Sequence, residues 1–110
     1  MATAIRFVAR DELREHFYKH AEGYCDEFGG SYGTPEEYEQ GAVEFLNRGP
    51  VGGIMERARI RDGWRIRFDP ISDEFAICDT YGFVMTYYKP NPFEHGKGDN
   101  TKYFLKRCLQ

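Results

Sequence analysis

The spacing of apolar residues along this chain changes once, from a period near 3.6 to a period of 2. The change divides it into a helical part and a sheet part. With Leu13 at zero and about 100° per residue, Phe17, Ala21 and Tyr24 fall on one stripe, which predicts an amphipathic helix over residues 11–24. Asp11 is its expected N-cap. Phe28-Gly29-Gly30-Ser31-Tyr32-Gly33 cannot continue a helix and reads as a loop. Thr34-Pro35-Glu36-Glu37 then supplies a capping threonine, a proline at the first helical position and a capping-box glutamate. The helix they start runs to about Asn47, with Tyr38, Ala42, Phe45 and Leu46 on its buried side. Gly49-Pro50 and Gly52-Gly53 end it.

Beyond that point Ile54, Ala58 and Ile60 alternate with Met55, Arg57, Arg59 and Arg61. Asp62-Gly63 is a hairpin signal, after which Trp64, Ile66 and Phe68 alternate with Arg65, Arg67 and Asp69. Two further strands, over residues 74–79 and 83–89, meet at Tyr81-Gly82, and Lys89-Pro90 halts the second. Residues 91–100 read as a polar loop, and residues 101–109 fit a last strand or a short helix equally well. The expected fold is α+β, with N-terminal helices packed on one face of a four- or five-stranded antiparallel sheet. A single domain spans residues 1–110: an N-terminal segment 1–10, a helical part 11–48 and a sheet part 54–109.

Composition narrows the function classes. At 110 residues the chain can bury one core but not two, and 41% hydrophobic with 16% aromatic residues marks a folded chain. No apolar run approaches the roughly 18 residues of a membrane span, and Met1 to Arg10 lacks a signal-peptide core. No membrane contact is expected, and an exported chain would take its signal from a larger parent polypeptide. Cys25, Cys78 and Cys108 are odd in number and widely spaced, which argues against a disulfide framework or a zinc site. The net charge of −3 weighs against a nucleic-acid binder. Its distribution weighs the other way: residues 1–50 carry 5 Lys/Arg against 10 Asp/Glu, and residues 51–110 carry 10 against 8.

Three constellations could carry chemistry. His20 lies about 20° from Leu13 on the first helix's apolar stripe and His16 at its edge, so either can bring an imidazole to a sheet end, where it can exchange protons near neutral pH. The i, i+4 spacing also suits a metal, but no third ligand is placed by sequence. Arg57, Arg59 and Arg61 project from one strand and Arg65 and Arg67 from the next, and the hairpin turn suggests one shared face that would hold a phosphate backbone. Thr86 and Tyr88 share a face with Val84, while Tyr87 and Lys89 point the other way. His95 adds a loop histidine bounded by Pro and Gly residues.

Four motifs occur in a shared order: His16-Phe17-Tyr18-Lys19-His20, Thr34-Pro35-Glu36-Glu37-Tyr38, the segment from Asp69-Pro70 to Phe75, and Thr86-Tyr87-Tyr88-Lys89-Pro90. Together they span residues 13–104 with their surroundings. In that order the chain resembles the C-terminal nuclease domains of bacterial polymorphic and contact-dependent growth inhibition toxins, of the barnase, EndoU, colicin and RelE superfamily. The resemblance implies a metal-independent ribonuclease without cofactors, cutting RNA and most often tRNA, and neutralised by a cognate immunity protein. It implies His20 or His16, Thr86 and Tyr88 as catalytic residues, with an intervening-strand arginine, Arg67 or Arg65. Arg57, Arg59, Arg61, Arg65, Lys89 and His95 are the residues expected to hold RNA. It also implies delivery as the C-terminal part of a larger polypeptide and action in the target-cell cytoplasm. In the family a lysine-histidine-glycine run leads into glutamate-phenylalanine-glycine. Here Ala21 to Asp26 separate His20 from Glu27-Phe28-Gly29. An acidic inhibitor is expected to dock over Arg57 to Arg67 and near His20, at a rate that falls with salt. The alternative is a non-catalytic RNA-binding or immunity-type module, which would use the arginines but not His20 or Thr86.

Overall fold

In the computed structural model, which describes residues 5–22, 26–49 and 52–110, the period-2 segment forms a meander of four antiparallel strands. In chain order the elements are β1 (Arg6–Phe7), α1 (Arg10–His20), α2 (Pro35–Asn47), β2 (Met55–Ala58), β3 (Arg65–Phe68), β4 (Phe75–Cys78), β5 (Phe83–Tyr88), α3 (Pro92–His95) and α4 (Asn100–Leu109). The sheet order is β1-β5-β4-β3-β2. The expected α+β class holds, with one departure in strand direction: β1 lies parallel to β5, pairing Arg6 with Phe83 and Phe7 with Val84. A two-residue strand carries no alternation to read. What holds it there is the burial of Phe7, whose ring stacks on Tyr38 at 5.9 Å.

The N-cap of α1 lies two residues before the expected Asp11. Ala9 is the N-cap and supplies no side-chain bond, while Asp11 and Glu12 in the first turn complement the helix dipole instead. The helix ends at His20; Tyr24, Cys25 and Pro50 lie outside the described residues. Helix α2 follows its sequence signals closely, with Thr34 accepting from the Glu37 N–H at 3.2 Å. The Glu37 carboxylate completes the turn by accepting from Gly33 N–H at 2.8 Å.

The helices do not share one face. Helices α1 and α2 cover Ala76, Cys78, Val84 and Tyr87, while residues 100–109, undecided from sequence, form α4 and cover Ile66, Phe68, Phe75 and Ile77 on the reverse face. Asp99 caps α4 by accepting from Lys102 N–H at 2.8 Å, and Phe104 and Cys108, one turn apart, are its buried pair. Each sheet face therefore has its own apolar core, two where the chain length led one to be expected, because α4 covers the face that α1 and α2 leave open.

A bulge in β5 fixes which residues face which core. Ile77 pairs with Thr86 but Cys78 pairs with Val84, so Met85 is the extra residue. Val84 consequently joins Tyr87 under α1 and α2, rather than sharing a face with Thr86 and Tyr88. Because β1 reaches only as far as Val84, no strand among the described residues pairs with the outer side of the rest of β5. Side chains occupy that edge: the Tyr38 hydroxyl donates to Tyr87 O, and Lys89 N–H donates to Glu27 Oε1 at 2.8 Å.

Gly41, in the middle of α2, has a packing reason. A Cβ there would come within 2.7 Å of Tyr32 Cε1 and closer still to the ring's hydroxyl end. Tyr32 cannot swing away freely, since it packs on Phe28 and bonds the Tyr87 hydroxyl at 3.0 Å. Gly41→Ala is expected to destabilise the fold by about 1–3 kcal/mol through overpacking, against the gain of about 1 kcal/mol that helix propensity alone would give. A urea midpoint that rises in the variant would show that Tyr32 yields.

Candidate active site

The outer edge of β5 is where the two layers meet, and there a cavity of about 340 Å³ opens. The C-terminal half of α1 brings His16, Lys19 and His20, the end of β5 brings Thr86, Tyr88 and Lys89, and α4 brings Tyr103 and Arg107. The segment between β5 and α4 adds Asn91, Glu94 and His95.

His20 is the most strongly positioned of these groups. Its Nδ1 lies 2.7 Å from Glu27 Oε2, and the other carboxylate oxygen accepts from Lys89 N–H. The loop after α1 is closed by Glu27 N–H donating to His20 O at 2.8 Å, which returns the carboxylate to the imidazole. The His20 ring also stacks on Tyr88, with centroids 4.9 Å apart and planes 17° from parallel. A ring whose Nδ1–H is committed to a carboxylate has Nε2 as the atom that exchanges protons.

His16 stands beside it, ring centroids 6.0 Å apart, with Phe7 at 5.4 Å on another side. Its Nδ1 is buried and finds no hydrogen-bond partner among the described residues. Burial first, then the neighbouring His20, holds its pKa below the usual histidine value, with Glu12 pulling the other way. His16 is therefore less protonated than an ordinary histidine at the same pH. As the pH falls through about 6.5 the unfolded chain takes up this proton before the folded one does, so stability present above that value is lost towards acid. His16→Gln should flatten the fall of the urea midpoint between about pH 7 and pH 5. An unchanged slope would show that His16 does not carry this dependence.

The tyrosines form the floor. The Tyr88 and Tyr103 hydroxyls bond one another, and burial with that bond raises the Tyr88 pKa far above the ordinary phenol value, so it acts as a neutral donor. Tyr103 stacks on His95 at 4.4 Å, and the Arg107 guanidinium carbon lies 6.0 Å from the Tyr103 centroid. His95 is fully engaged: Nδ1 accepts from Lys97 N–H at 3.0 Å, which leaves Nε2–H to donate to Asn100 Oδ1 at 3.0 Å. It shapes the wall and has no free ring nitrogen. Thr86, half-buried, lines the same cavity on the face that carries Tyr88.

The arginine surface expected over Arg57 to Arg67 does not exist as one face. Arg57 pairs with Ile66 and Glu56 with Arg67, so Arg57 lies on the α4 face and Arg65 and Arg67 on the α2 face. The six-residue loop 59–64 pairs odd positions with even ones, which separates arginines of like parity. Arg67, expected to be catalytic, is buried under the end of α2. It donates to Leu46 O at 2.8 Å, to Arg48 O, and to Gly49 O at 3.4 Å. Arg65 donates to Leu46 O as well and has Nε 3.0 Å from Glu56 Oε1, an ion pair without hydrogen-bond alignment. These guanidiniums satisfy the carbonyls that α2 leaves unpaired at its C-terminus.

Arg59 is also committed. It is buried, bonds both oxygens of Asp62 at 3.0 and 2.6 Å, and lies 4.7 Å over the Trp64 ring. The bond from Arg59 leads the effects that push the Asp62 carboxyl down to about 2. Arg61 is exposed, 3.5 Å from the same Asp62. Arg57 is exposed at the far end of the cross-strand row Arg57–Ile66–Ile77–Thr86, about 14 Å from Thr86 at the usual strand spacing.

The structure thus brings His16, His20, Thr86, Tyr88, Lys89 and His95 into one pocket and leaves Arg67, Arg65 and Arg59 elsewhere. Sequence reasoning missed Glu27, Tyr103 and Arg107. The signal for the last two was present: an Asp99 cap before a Phe104/Cys108 pair predicts a helix, which sets Tyr103 and Arg107 one turn apart. A larger cavity, about 510 Å³, lies by the β2–β3 and β4–β5 loops, but it holds no imidazole and its Arg65 and Glu56 already pair with each other. Among the described residues no group of three or more His, Cys, Asp or Glu side chains is arranged to hold a metal ion. No model of a known protein family matches this chain, and no curated protein matches it.

Proposed function

We propose that this chain is a toxin ribonuclease that cleaves RNA, tRNA foremost, by attack of the RNA's own 2′-hydroxyl on the adjacent phosphate. The observation that carries the reading is the His20–Glu27 pair in a pocket shared with a second, neutral histidine and three cations, Lys19, Lys89 and Arg107. His16 takes the proton of the 2′-hydroxyl as O2′ bonds to phosphorus. His20, with Glu27 offsetting the charge of its doubly protonated ring, gives a proton to the 5′-oxygen as the P–O5′ bond breaks. The products are a 2′,3′-cyclic phosphate and a 5′-hydroxyl. Arg107 and Lys89 offset the charge gathering on the phosphate, and the Tyr88–Tyr103 hydroxyls and Thr86 can donate to its free oxygens.

Incubating the domain with total tRNA in EDTA tests this reading. Fragments ending in 2′,3′-cyclic phosphate are expected, and a 2′-deoxy substitution at the cut position should stop cleavage there. Intact RNA at high enzyme concentration would overturn it, and nuclease activity that EDTA abolishes would point to metal-dependent chemistry instead. A non-catalytic RNA-binding or immunity-type module is less well supported, because Arg59, Arg65 and Arg67, which it would need, are bonded within the fold. Delivery within a larger polypeptide to the target-cell cytoplasm belongs to the same proposal. So does a cognate acidic immunity protein, now placed over the β5-edge pocket and its cations rather than over residues 57–67.

A further inference from the structure

Phe93 is 98% exposed, yet it sits on one of the most tightly tied segments of the surface. The Asn91 side chain accepts from Phe93 N–H at 2.9 Å, and Asn91 O accepts from Glu94 and His95 N–H at 2.9 and 3.1 Å. Gly96 N–H closes the turn on Pro92 O at 3.1 Å, with Gly96 in the left-handed region at φ 62°. Pro90 and Pro92 restrict the backbone on either side of Asn91. The far end is anchored by the stacked, doubly bonded His95 ring and by buried Asn100, which donates to Pro90 O at 2.9 Å. An apolar ring is thus held out in water on a pre-ordered turn, two residues from Asn91 and one from Glu94, both of which line the candidate active pocket.

We propose that Phe93 is a stacking platform for an unpaired nucleobase next to the bond that is cut. The inference rests on the ribonuclease reading and adds a substrate class to it: RNA that presents an unpaired or splayed-out base. Two features favour a base over other occupants. Between Lys89 and Lys97 the only carboxylate or cationic side chain is Glu94, which repels phosphate, so attraction at this turn has to come through an aromatic face. A base inside a duplex has both faces covered, so only an unpaired one can meet a protein ring. The rigidity of the turn means little ordering cost remains when the base arrives.

The test compares binding of a single-stranded RNA octamer with that of the same sugar-phosphate chain lacking bases. Phe93→Ala is expected to weaken octamer binding roughly 5- to 150-fold, the range of one lost base–aromatic stack. It should leave the abasic chain unaffected, and Phe93→Tyr should restore octamer binding because its ring still stacks. In tRNA cleavage the alanine variant should raise KM with little change in kcat. Equal losses on both chains, or none on either, would overturn the platform. If the parent protein cleaves tRNA and Phe93→Ala binds and cleaves as well, this inference fails alone. A parent protein that neither binds nor cuts RNA would overturn it together with the ribonuclease reading. Reduced capture by an inhibitor protein, with RNA binding unchanged, would also overturn it and make Phe93 a protein contact.

Discussion

Replacing His20 with alanine is expected to lower the rate of RNA cleavage by about 10²- to 10⁴-fold, the usual weight of one positioned acid or base. The expectation comes from how much of the pocket converges on that ring. Glu27 holds Nδ1 at 2.7 Å, Tyr88 stacks on one face at 4.9 Å, and Lys89 N–H fixes the carboxylate that does the holding. Truncation also leaves Glu27 Oε2 without its partner in a partly buried setting, so some stability will be lost with activity. Rates therefore have to be compared at a temperature and urea concentration where far-UV circular dichroism shows the variant folded. Glu27→Gln supplies the second arm. It keeps the shape and a hydrogen bond but removes the charge, so it should lower kcat less than His20→Ala does. Full activity in the folded His20→Ala protein would remove the proposed mechanism.

The second large effect is on stability rather than on catalysis. Arg67→Ala should cost about 3 kcal/mol, because a buried guanidinium that serves several helix-end carbonyls takes those bonds with it, and Arg65 remains only for Leu46 O. Leu46 O, Arg48 O and Gly49 O all accept from it, and Glu56 Oε1 lies 3.7 Å from its Nη1. Urea unfolding at neutral pH measures the loss. Activity per folded molecule should stay close to that of the parent, since Arg67 lies on the sheet face opposite Thr86 and Tyr88. A variant as stable as the parent but inactive would restore the catalytic role implied by the resemblance to toxin nucleases and contradict the geometry.

These two outcomes follow the line between what could be read from sequence and what could not. Helix α2 was legible because its signals are local: Thr34, Pro35 and Glu37 fix the start within one turn. The meander was legible because alternation reports a two-faced sheet directly. His20 and Tyr88 were identifiable as candidates because one lies near an apolar helix stripe and the other on a strand end. The arginines failed for a reason of parity. Alternation says which residues of one strand share a face, but the loop length decides how two strands' faces combine, and an even loop put Arg57 across the sheet from Arg67. The β5 bulge is a similar case, as an extra Met85 moved Val84 away from Thr86. Glu27 stood in the sequence as part of a motif but without a role, since its partners are a helix end and a strand end that no local pattern connects.

The open outer edge of β5 has a consequence for when this protein can act. Glu27 and Lys89 are 62 positions apart, and their bond forms at an edge that β1 does not reach. The proposed dyad joins residues only seven apart, but the bond that fixes its carboxylate comes from the far end of the sheet, so the oriented pair depends on a long-range closure of the chain. Contacts of such separation form only after loop-closure entropy has been met elsewhere. An unfolded chain, such as one threading through a narrow passage between cells, would carry both histidines and every cation yet hold no oriented carboxylate. On the proposed reading its chemistry would be silent in transit and would switch on with refolding, so that folding itself would serve as the safety catch.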